Sequence, residues 1–490
     1  MCGIFGYVTT QARTAESIRL ADGLAALRHR GPDDRGSWTG EARGVRAGLG
    51  HARLAILDLS PAGHQPMASA SGRYQIVFNG EIFNFDELRR QLEGLGHRFR
   101  SSGDTEVILQ AFEEWGADCV LHLRGMYAFA VFDTQTGRLF LARDRLGVKP
   151  LYYAPVPGGV AFASEVRALL AAGEARRRTS MRAVTGYFAL GSIPDPLTII
   201  DGVHSLLPGC ALEVRDGSVQ THRYWEIPWS SEGERWTFED AAAAVRAELR
   251  DAVRIRLVSD VPLGIFLSGG IDSSALVALA AEVSHRPLHT FTVTLEDANL
   301  DEARYAADVA TRFGCDHHVM HLSADRAAAE IDKAVAALDQ PSSDGVNTYF
   351  VAKAAKEAGV TVALSGLGGD ELFAGYPSFR YIGRLNAALD VARPALGLLP
   401  EGLPFEAIAA PLSSKLRKGA ALAATRDRAA AYGVLRGLLT PEQCEHLLGV
   451  RPDPGSFVYS PAGLAEAADR GLVDAANAHS VLEISNYMRN

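Results

Sequence analysis

Met1-Cys2-Gly3-Ile4-Phe5-Gly6 begins the chain. Cys2 has a small side chain of the kind that lets an initiator methionine be removed. Cys2 would then carry both a thiol and a free α-amine, and an α-amine titrating near ~8 can act as a base close to neutrality. Nucleophile and base would come in one residue, with no separate histidine needed. The apolar Ile4, Phe5, Tyr7 and Val8 read as a strand, so an ordinary buried cysteine opening a β-strand also fits this stretch.

The surrounding composition narrows the choice. A chain of 490 residues is too long for one ordinary core, and two domains are expected. Hydrophobic residues make up 47% and charged residues 22%, as in soluble globular proteins. A net charge of −9 argues against a nucleic-acid-binding surface. The longest basic run, Arg176-Arg177-Arg178, reads as a solvated helix end. The five cysteines, Cys2, Cys119, Cys210, Cys315 and Cys444, are scattered without a CxxC pair, which excludes a disulfide framework or a zinc site as the organising element. No stretch of eighteen apolar residues exists, and the first residues lack a charged region followed by an apolar one. A cytoplasmic location follows as the expectation, one in which a catalytic thiol stays reduced.

Up to about Tyr224 the pattern is short strands with a few helices. Residues 74–78, 127–132 and 139–142 are strand-like, and the last two flank Asp133-Thr134-Gln135-Thr136-Gly137, a hairpin turn. Apolar spacing predicts helices over 15–27, 85–95 and 105–115. Four polar clusters fall at the turns: His29-Arg30-Gly31-Pro32-Asp33-Asp34, His51-Ala52-Arg53-Leu54, Asn79-Gly80-Glu81 and Ser101-Ser102-Gly103-Asp104-Thr105. Each alone reads as turn or cap chemistry. Together they supply what a thiolate attacking an amide needs. An Asn side chain and a Gly N–H suit a developing oxyanion, and an Arg and an Asp suit the carboxylate and ammonium of an amino acid.

With Cys2-Gly3-Ile4, these clusters resemble, in order and spacing, the glutaminase domain of class II glutamine amidotransferases over roughly the first 210 residues. The resemblance implies an α+β N-terminal-nucleophile fold, an αββα sandwich, over 2–215. It implies that Cys2 forms a γ-glutamyl thioester and that Asn79 and Gly80 make the oxyanion hole. Arg53 would hold the glutamine carboxylate, Asp104 its ammonium, with Glu81 also in the glutamine site. The charged run Arg143-Asp144-Arg145-Leu146-Gly147-Val148-Lys149-Pro150 is read as structural, pairing Arg and Asp at a strand edge.

Ser230-Ser231-Glu232-Gly233-Glu234-Arg235 reads as a linker. A helix over 238–257 follows, then a buried strand, 262–267. It runs into Ser268-Gly269-Gly270-Ile271-Asp272-Ser273-Ser274 ahead of a helix over 275–283. A strand, a glycine turn and a helix N-terminus make an anion site. The loop lacks the GK[ST] of a Walker A motif, and resembles the PP-loop of enzymes that split ATP between the α and β phosphates. Strands over 289–293, 319–322 and 360–364 alternate with helices over 301–313, 327–338 and 348–358, which predicts a parallel sheet with ligands at its carboxyl ends. The motif Leu364-Ser365-Gly366-Leu367-Gly368-Gly369-Asp370-Glu371 adds a second acid, so that Asp272 and Asp370 could share a Mg²⁺. His317 and His318 point to opposite faces of a strand and are read as structural.

Both halves in this order resemble a glutamine-dependent asparagine synthetase of the bacterial type, with an α/β PP-loop domain over 236–490 that is helical towards its end. The resemblance implies ATP contacts from Leu267, Val293, Ser365 and Gly366 beside the loop residues Ser268, Gly269, Gly270, Asp272, Ser273 and Ser274. It implies β-adenylated aspartate, attacked by ammonia that travels through an internal tunnel, and ATP and Mg²⁺ as cofactors. Partners are therefore small molecules, namely glutamine, ATP and aspartate or another carboxylate. Neither nucleic acid nor membrane is expected, and a homodimer is left open.

Two departures stand out. In the family the residue after the second Ser-Gly is commonly acidic, whereas here it is Leu367. The segment Glu483-Ile484-Ser485-Asn486-Tyr487-Met488 resembles the start of a longer helix, so the chain is expected to be a partial one. The alternatives left open are an amidotransferase acting on another carboxylate, such as a sugar acid or natural-product intermediate, and a glutaminase alone.

Overall fold

The computed structural model describes residues 1–228, 236–295, 301–380, 418–419, 421–422, 425, 428–471 and 473–488. The expected linker, 230–235, lies outside them.

Strand β1, Gly3–Thr9, is buried at every position, which requires cover on both of its faces. Two antiparallel sheets and flanking helices provide it. The first sheet also contains β2 (Asp34–Ala42) and β3 (Val45–Arg53); the second contains β4 (Met67–Ala68), β5 (Tyr74–Ile82), β6 (Gly125–Asp133) and β7 (Leu139–Arg143). Strands β8 (Tyr152–Val156), β9 (Gly159–Ala163) and β10 (His204–Ser205) complete the first sheet, in the order β10-β8-β9-β1-β3-β2. Strands β11 (Cys210–Arg215) and β12 (Ser218–Arg223) complete the second, in the order β12-β11-β7-β6-β5-β4.

Ile4, Val8 and Leu49 of the first sheet pack on Val77, Ala128, Phe132 and Leu212 of the second to form the central core. Helices Phe85–Gly94 and Asp104–Trp115 cover the outer face of the second sheet, packing on Ile76, Phe78 and Phe129. Helices Leu20–Ala26 and Val166–Ala172 cover the first through Phe5, Tyr7 and Ala163. This is the expected αββα sandwich. One helix expected over 15–27 is two, Ala12–Ser17 and Leu20–Ala26, because Ile18 adopts an extended backbone and turns its side chain into that core.

In the second half, β13 (Leu263–Phe266), β14 (His289–Leu295), β15 (Asp316–Leu322) and β16 (Val362–Leu364) form a parallel sheet in the order β15-β14-β13-β16. The helix after β13 spans Ile271–Val283, four residues earlier than its expected start. Gly269, at φ +80°, turns the chain sharply enough that Gly270 already caps the helix, so Asp272 and Ser273 lie in its first turn.

Beyond the sheet, the elements among the described residues are helical. Glu483, fully buried, there accepts hydrogen bonds from Arg436 Nε (2.9 Å) and Nη2 (2.7 Å) and lies 3.2 Å from His479. Among the described residues no helix is long and apolar enough to cross a membrane.

The two halves are joined by hydrogen bonds as well as by chain. Asp339 accepts from the Val166 (2.6 Å) and Arg167 (3.0 Å) backbone N–H groups, capping from across the boundary a helix whose own N-cap, Glu165, makes no side-chain cap. Asp339→Ala is therefore expected to lower stability by about 1–2 kcal/mol, the usual worth of a helix cap, seen as a lower urea midpoint, with Asp339→Asn losing less.

Candidate active site

Three of the four polar clusters of the first half converge on one pocket under the N-terminus; no residue of the fourth, His29 to Asp34, lines it. Cys2, Arg53, Asn79, Gly80, Glu81 and Asp104 all line it. They arrive from different elements: Cys2 precedes β1, Arg53 ends β3, Asn79 to Glu81 lie in β5, and Asp104 begins a helix.

The Cys2 thiol is held by one residue. Leu54 N–H donates to Sγ (3.4 Å), and Sγ donates to Leu54 carbonyl (3.5 Å). Burial pushes the thiol pKa up, opposed by the Leu54 hydrogen bond, the amino terminus and Lys149. Burial likewise lowers the pKa of the chain's α-amine, here on Met1, to about 5. Arg30 fixes the strand entrance: its Nε donates to Cys2 carbonyl (2.8 Å) and its Nη1 to Glu165 (2.8 Å). Gly31 packs against the Ala52 carbonyl so closely that a Cβ would stand 2.2 Å from it, which explains a glycine in this turn.

Asn79 is 1% exposed, and its Nδ2 has no hydrogen-bond partner. A buried amide donor left unsatisfied costs about 1–3 kcal/mol, so a donor facing a pocket in this state is poised for an acceptor that the substrate brings. Gly80 beside it leaves no room for a side chain, since a Cβ would meet the Met126 carbonyl at 2.3 Å.

Arg53 is anchored in the loop that follows it. Nη1 donates to Ser60 carbonyl (3.1 Å), and Nη2 to the carbonyls of Leu57 (3.5 Å) and Asp58. Asp58, at φ +53°, braces that loop by accepting from Ser60 N–H (3.1 Å) and Ser102 N–H (2.9 Å). Its own N–H donates to Asp260 of the second half (3.0 Å). Asp104 accepts from Ile82 N–H (2.9 Å). Burial raises its pKa to about 7, with Glu81 adding to the rise and backbone hydrogen bonds opposing it. Burial also raises Glu81, against the attraction of Lys149 and the amino terminus.

Sequence reasoning missed three contributors. Asp58 and Glu165 act through backbone and ion-pair geometry that pairs residues far apart in the chain. Lys149 lies in the run read as structural. That reading describes Arg143, which donates to the carbonyls of Lys149, Leu206 and Gly147, but Lys149 itself lines the pocket. The available signal was a lysine set between Val148 and Pro150-Leu151, next to a residue with an apolar side chain on each flank.

The second constellation sits at the carboxyl ends of the adjacent strands β13 and β16. Ser268 and Ser273 hydroxyls are 3.1 Å apart, Ser273 Oγ donates to Gly270 carbonyl (3.2 Å), and Gly270 N–H donates to Ser268 Oγ (3.3 Å), closing the loop on itself. Ser274 N–H donates to Gly270 carbonyl (3.0 Å). Leu267 is buried and joined to β14 through Phe291 carbonyl (2.9 Å). Ser365 accepts from Leu367 N–H (3.3 Å), and Gly366 lies against Ser273 N and Asp272 so tightly that a Cβ would stand 3.0–3.1 Å from them. Val293 opens instead onto a separate cavity beside Met320, Arg326 and Lys353, apart from the loop residues.

Asp272, Asp370 and Glu371 collect here. Burial raises the Asp272 pKa, and the neighbouring charges of Asp370 and Glu371 raise it further. Glu371 is 1% exposed; one oxygen accepts from Tyr376 (2.6 Å), and the other has no partner. Mutually repelling carboxylates with an orphaned oxygen fit a divalent cation bound with phosphates. His317 Nδ1 is 2.9 Å from Thr290 Oγ1, and His318 stacks on Phe291 while its Nε2 lies 3.3 Å from Asp316, which His289 also faces at 3.1 Å.

Residues 1–225 match the family model of a glutamine amidotransferase domain, and residues 244–488 that of asparagine synthase. Asparagine synthetase (glutamine-hydrolyzing) 3 of Bacillus subtilis is 36% identical over 400 residues, covering 77% of this chain and 64% of its own length. A Methanocaldococcus jannaschii protein named provisionally as a glutamine-hydrolysing asparagine synthetase is 38% identical over 77% of this chain and 76% of its own. The amidase chyE of Penicillium rubens is 31% identical, over 81% of this chain and 62% of its own. The chain thus spans a little under two thirds of the length of the first of these relatives. With an amidotransferase model followed by a synthase model across nearly all its residues, it belongs to the glutamine-hydrolysing asparagine synthetase family.

Proposed function

We propose that the protein uses ATP to form an amide with nitrogen taken from glutamine, with aspartate as the acceptor, giving asparagine, glutamate, AMP and pyrophosphate. The observation that carries the first step is the pocket that gathers Cys2, Asn79, Gly80, Arg53 and Asp104. Once Met1 is removed, the α-amine of Cys2 takes the thiol proton and Sγ attacks the glutamine amide carbon. Asn79 Nδ2 and the Gly80 N–H hold the oxyanion, Arg53 the carboxylate and Asp104 the ammonium, with Glu81 alongside. The α-ammonium gives the thiol proton to the departing nitrogen, ammonia leaves as the C–N bond breaks, and water hydrolyses the γ-glutamyl thioester to glutamate.

In the second half, Leu267, Ser268, Gly269, Gly270, Asp272, Ser273, Ser274, Ser365 and Gly366 bind ATP, with residues 236–490 as the synthetase domain and 2–215 as the glutaminase. Asp272 and Asp370 would hold Mg²⁺, which neutralises the pyrophosphate leaving group when bound. Passing ammonia inside the protein keeps it from protonation in water, where it cannot attack.

A second reading, transfer to a different carboxylate, has its own support. Leu367 is 72% exposed in the second ATP motif and can neither act as a base nor carry charge, and one relative is named an amidase. Incubating the protein with glutamine, Mg-ATP and aspartate separates the readings. Asparagine with AMP and pyrophosphate supports the first. AMP formed only with another acid moves the acceptor, and glutamate without AMP leaves a glutaminase.

The pH dependence of glutamine use follows from Asp104. Its pKa is raised to about 7, so the carboxylate that pairs with the substrate ammonium is lost as pH falls through neutrality. The KM for glutamine at pH 6 is expected to be about tenfold that above pH 8, from the ionised fraction. In Asp104→Asn the KM should be high and flat over the same range.

A further inference from the structure

We propose that Lys149 is a positioning residue for the Cys2 thiol, its buried ammonium offsetting Glu81 so that the sulfur can carry negative charge in a pocket that also holds Asp104. The inference rests on the reading of Cys2 as nucleophile and deepens it.

Lys149 is 7% exposed and lines the same pocket as Cys2, Glu81 and Asp104. Its backbone is locked: the N–H donates to Asp144 Oδ2 (2.9 Å), and the carbonyl accepts from Arg143 Nε (3.0 Å). The side chain is therefore delivered to the pocket from a rigid turn between β7 and β8. Among the described residues its Nζ makes no hydrogen bond and no ion pair. A buried lysine without such a partner is costly unless neighbouring charge supports it.

The charges around it show what it does. Burial lowers the Lys149 pKa and Arg30, from the segment before β2, adds to that, while Glu81 from β5, Asp144 from its own turn and the Cys2 thiol from the start of β1 favour the ammonium. Cys2 in turn feels the Leu54 N–H, the amino terminus and Lys149, all favouring the thiolate, and Asp104 opposing it. With Arg53 held by loop carbonyls, the ionisable side chains lining the pocket beside the thiol are three acids, Asp58, Glu81 and Asp104, and two bases, Arg53 and Lys149. Removing Lys149 adds to the excess of acids next to a sulfur that must become anionic, in a medium of low dielectric where such an imbalance is weakly screened.

The test is alkylation of the full-length protein by iodoacetamide across pH 6–10, scored by mass at the peptide containing Cys2 so that the other four cysteines do not contribute. Lys149→Met is expected to shift the profile upward by about one pH unit and to slow alkylation at pH 7 about tenfold. Lys149→Arg should restore most of the rate, because charge and not shape is at issue. The charge-balanced double variant Lys149→Met/Glu81→Gln should recover part of it, and it serves also if the single variant folds poorly.

A Cys2 profile in Lys149→Met that coincides with the parent would overturn the proposal, as would failure of the double variant to recover any rate. Persistence of glutamine hydrolysis in Cys2→Ala would instead remove the nucleophile reading itself, so the two failures are distinguishable.

Discussion

Cys2→Ala is expected to lower glutamine hydrolysis by a factor on the order of 10⁴–10⁶, the loss that follows removal of a covalent nucleophile. Amide synthesis from ammonium salts should persist at the parent rate in the same variant. The thiol sits under the N-terminus against Leu54, whereas the loop Ser268 to Ser274 and the acids Asp272 and Asp370 belong to the parallel sheet of the other half. Nothing in the second constellation needs the sulfur. The measurement is glutamate release from glutamine beside AMP formation driven by ammonium chloride, each at saturating substrate. Equal loss of both activities would mean that the sites are not separable, and retention of both would mean that the nucleophile lies elsewhere.

Asn79→Ala should reduce kcat for glutamine hydrolysis by about 10²–10³ while changing KM only severalfold. A donor aimed at the oxyanion interacts with the developing charge more than with the neutral amide, and its removal is felt in the transition state. Asn79 suits that role because Nδ2 is buried and unsatisfied in the protein without substrate, so no competing hydrogen bond has to be broken first. Asn79→Asp keeps the shape and replaces the donor by an acceptor, and it should be as damaging as the alanine. A rise in KM with unchanged kcat would place Asn79 in ground-state binding instead.

Much of this architecture was legible in residue order. The alternation of strands and helices after residue 262 reads as a parallel sheet because apolar runs, glycine turns and helical spacing are local properties. Hairpins were equally plain where Asp133 to Gly137 joins β6 to β7, with Gly137 at φ +75°. Helix starts were less so. Ile271 begins its helix earlier than spacing alone indicates, because a glycine turn set by Gly269 decides where the first turn can form. Ile18 breaks a helix that its neighbours would continue, because a core contact outweighs the small free energy of helix propagation.

The candidate site divides along the same line. Cysteine, asparagine, arginine and aspartate at turn positions announce their chemistry by residue type, so Cys2, Asn79, Arg53 and Asp104 could be named without coordinates. Their convergence is a different matter. β1 pairs with β3, so that Gly3 lies opposite Ala52, and β5 lies in the facing sheet. Register and sheet stacking bring the four side chains to one pocket, and neither is written in any short stretch of residues.

Residue types and their order sufficed for the identity of the two halves and for naming a candidate nucleophile and a candidate nucleotide loop, since each rests on chemistry confined to a few neighbouring positions. Burial settled what neighbours cannot: that Asp104 titrates near neutrality, that Asn79 is left without a partner, and that Lys149 belongs to the pocket and not to a strand edge. The reason is that desolvation and electrostatic coupling depend on everything packed around a group, and most of what surrounds these three side chains comes from distant parts of the chain.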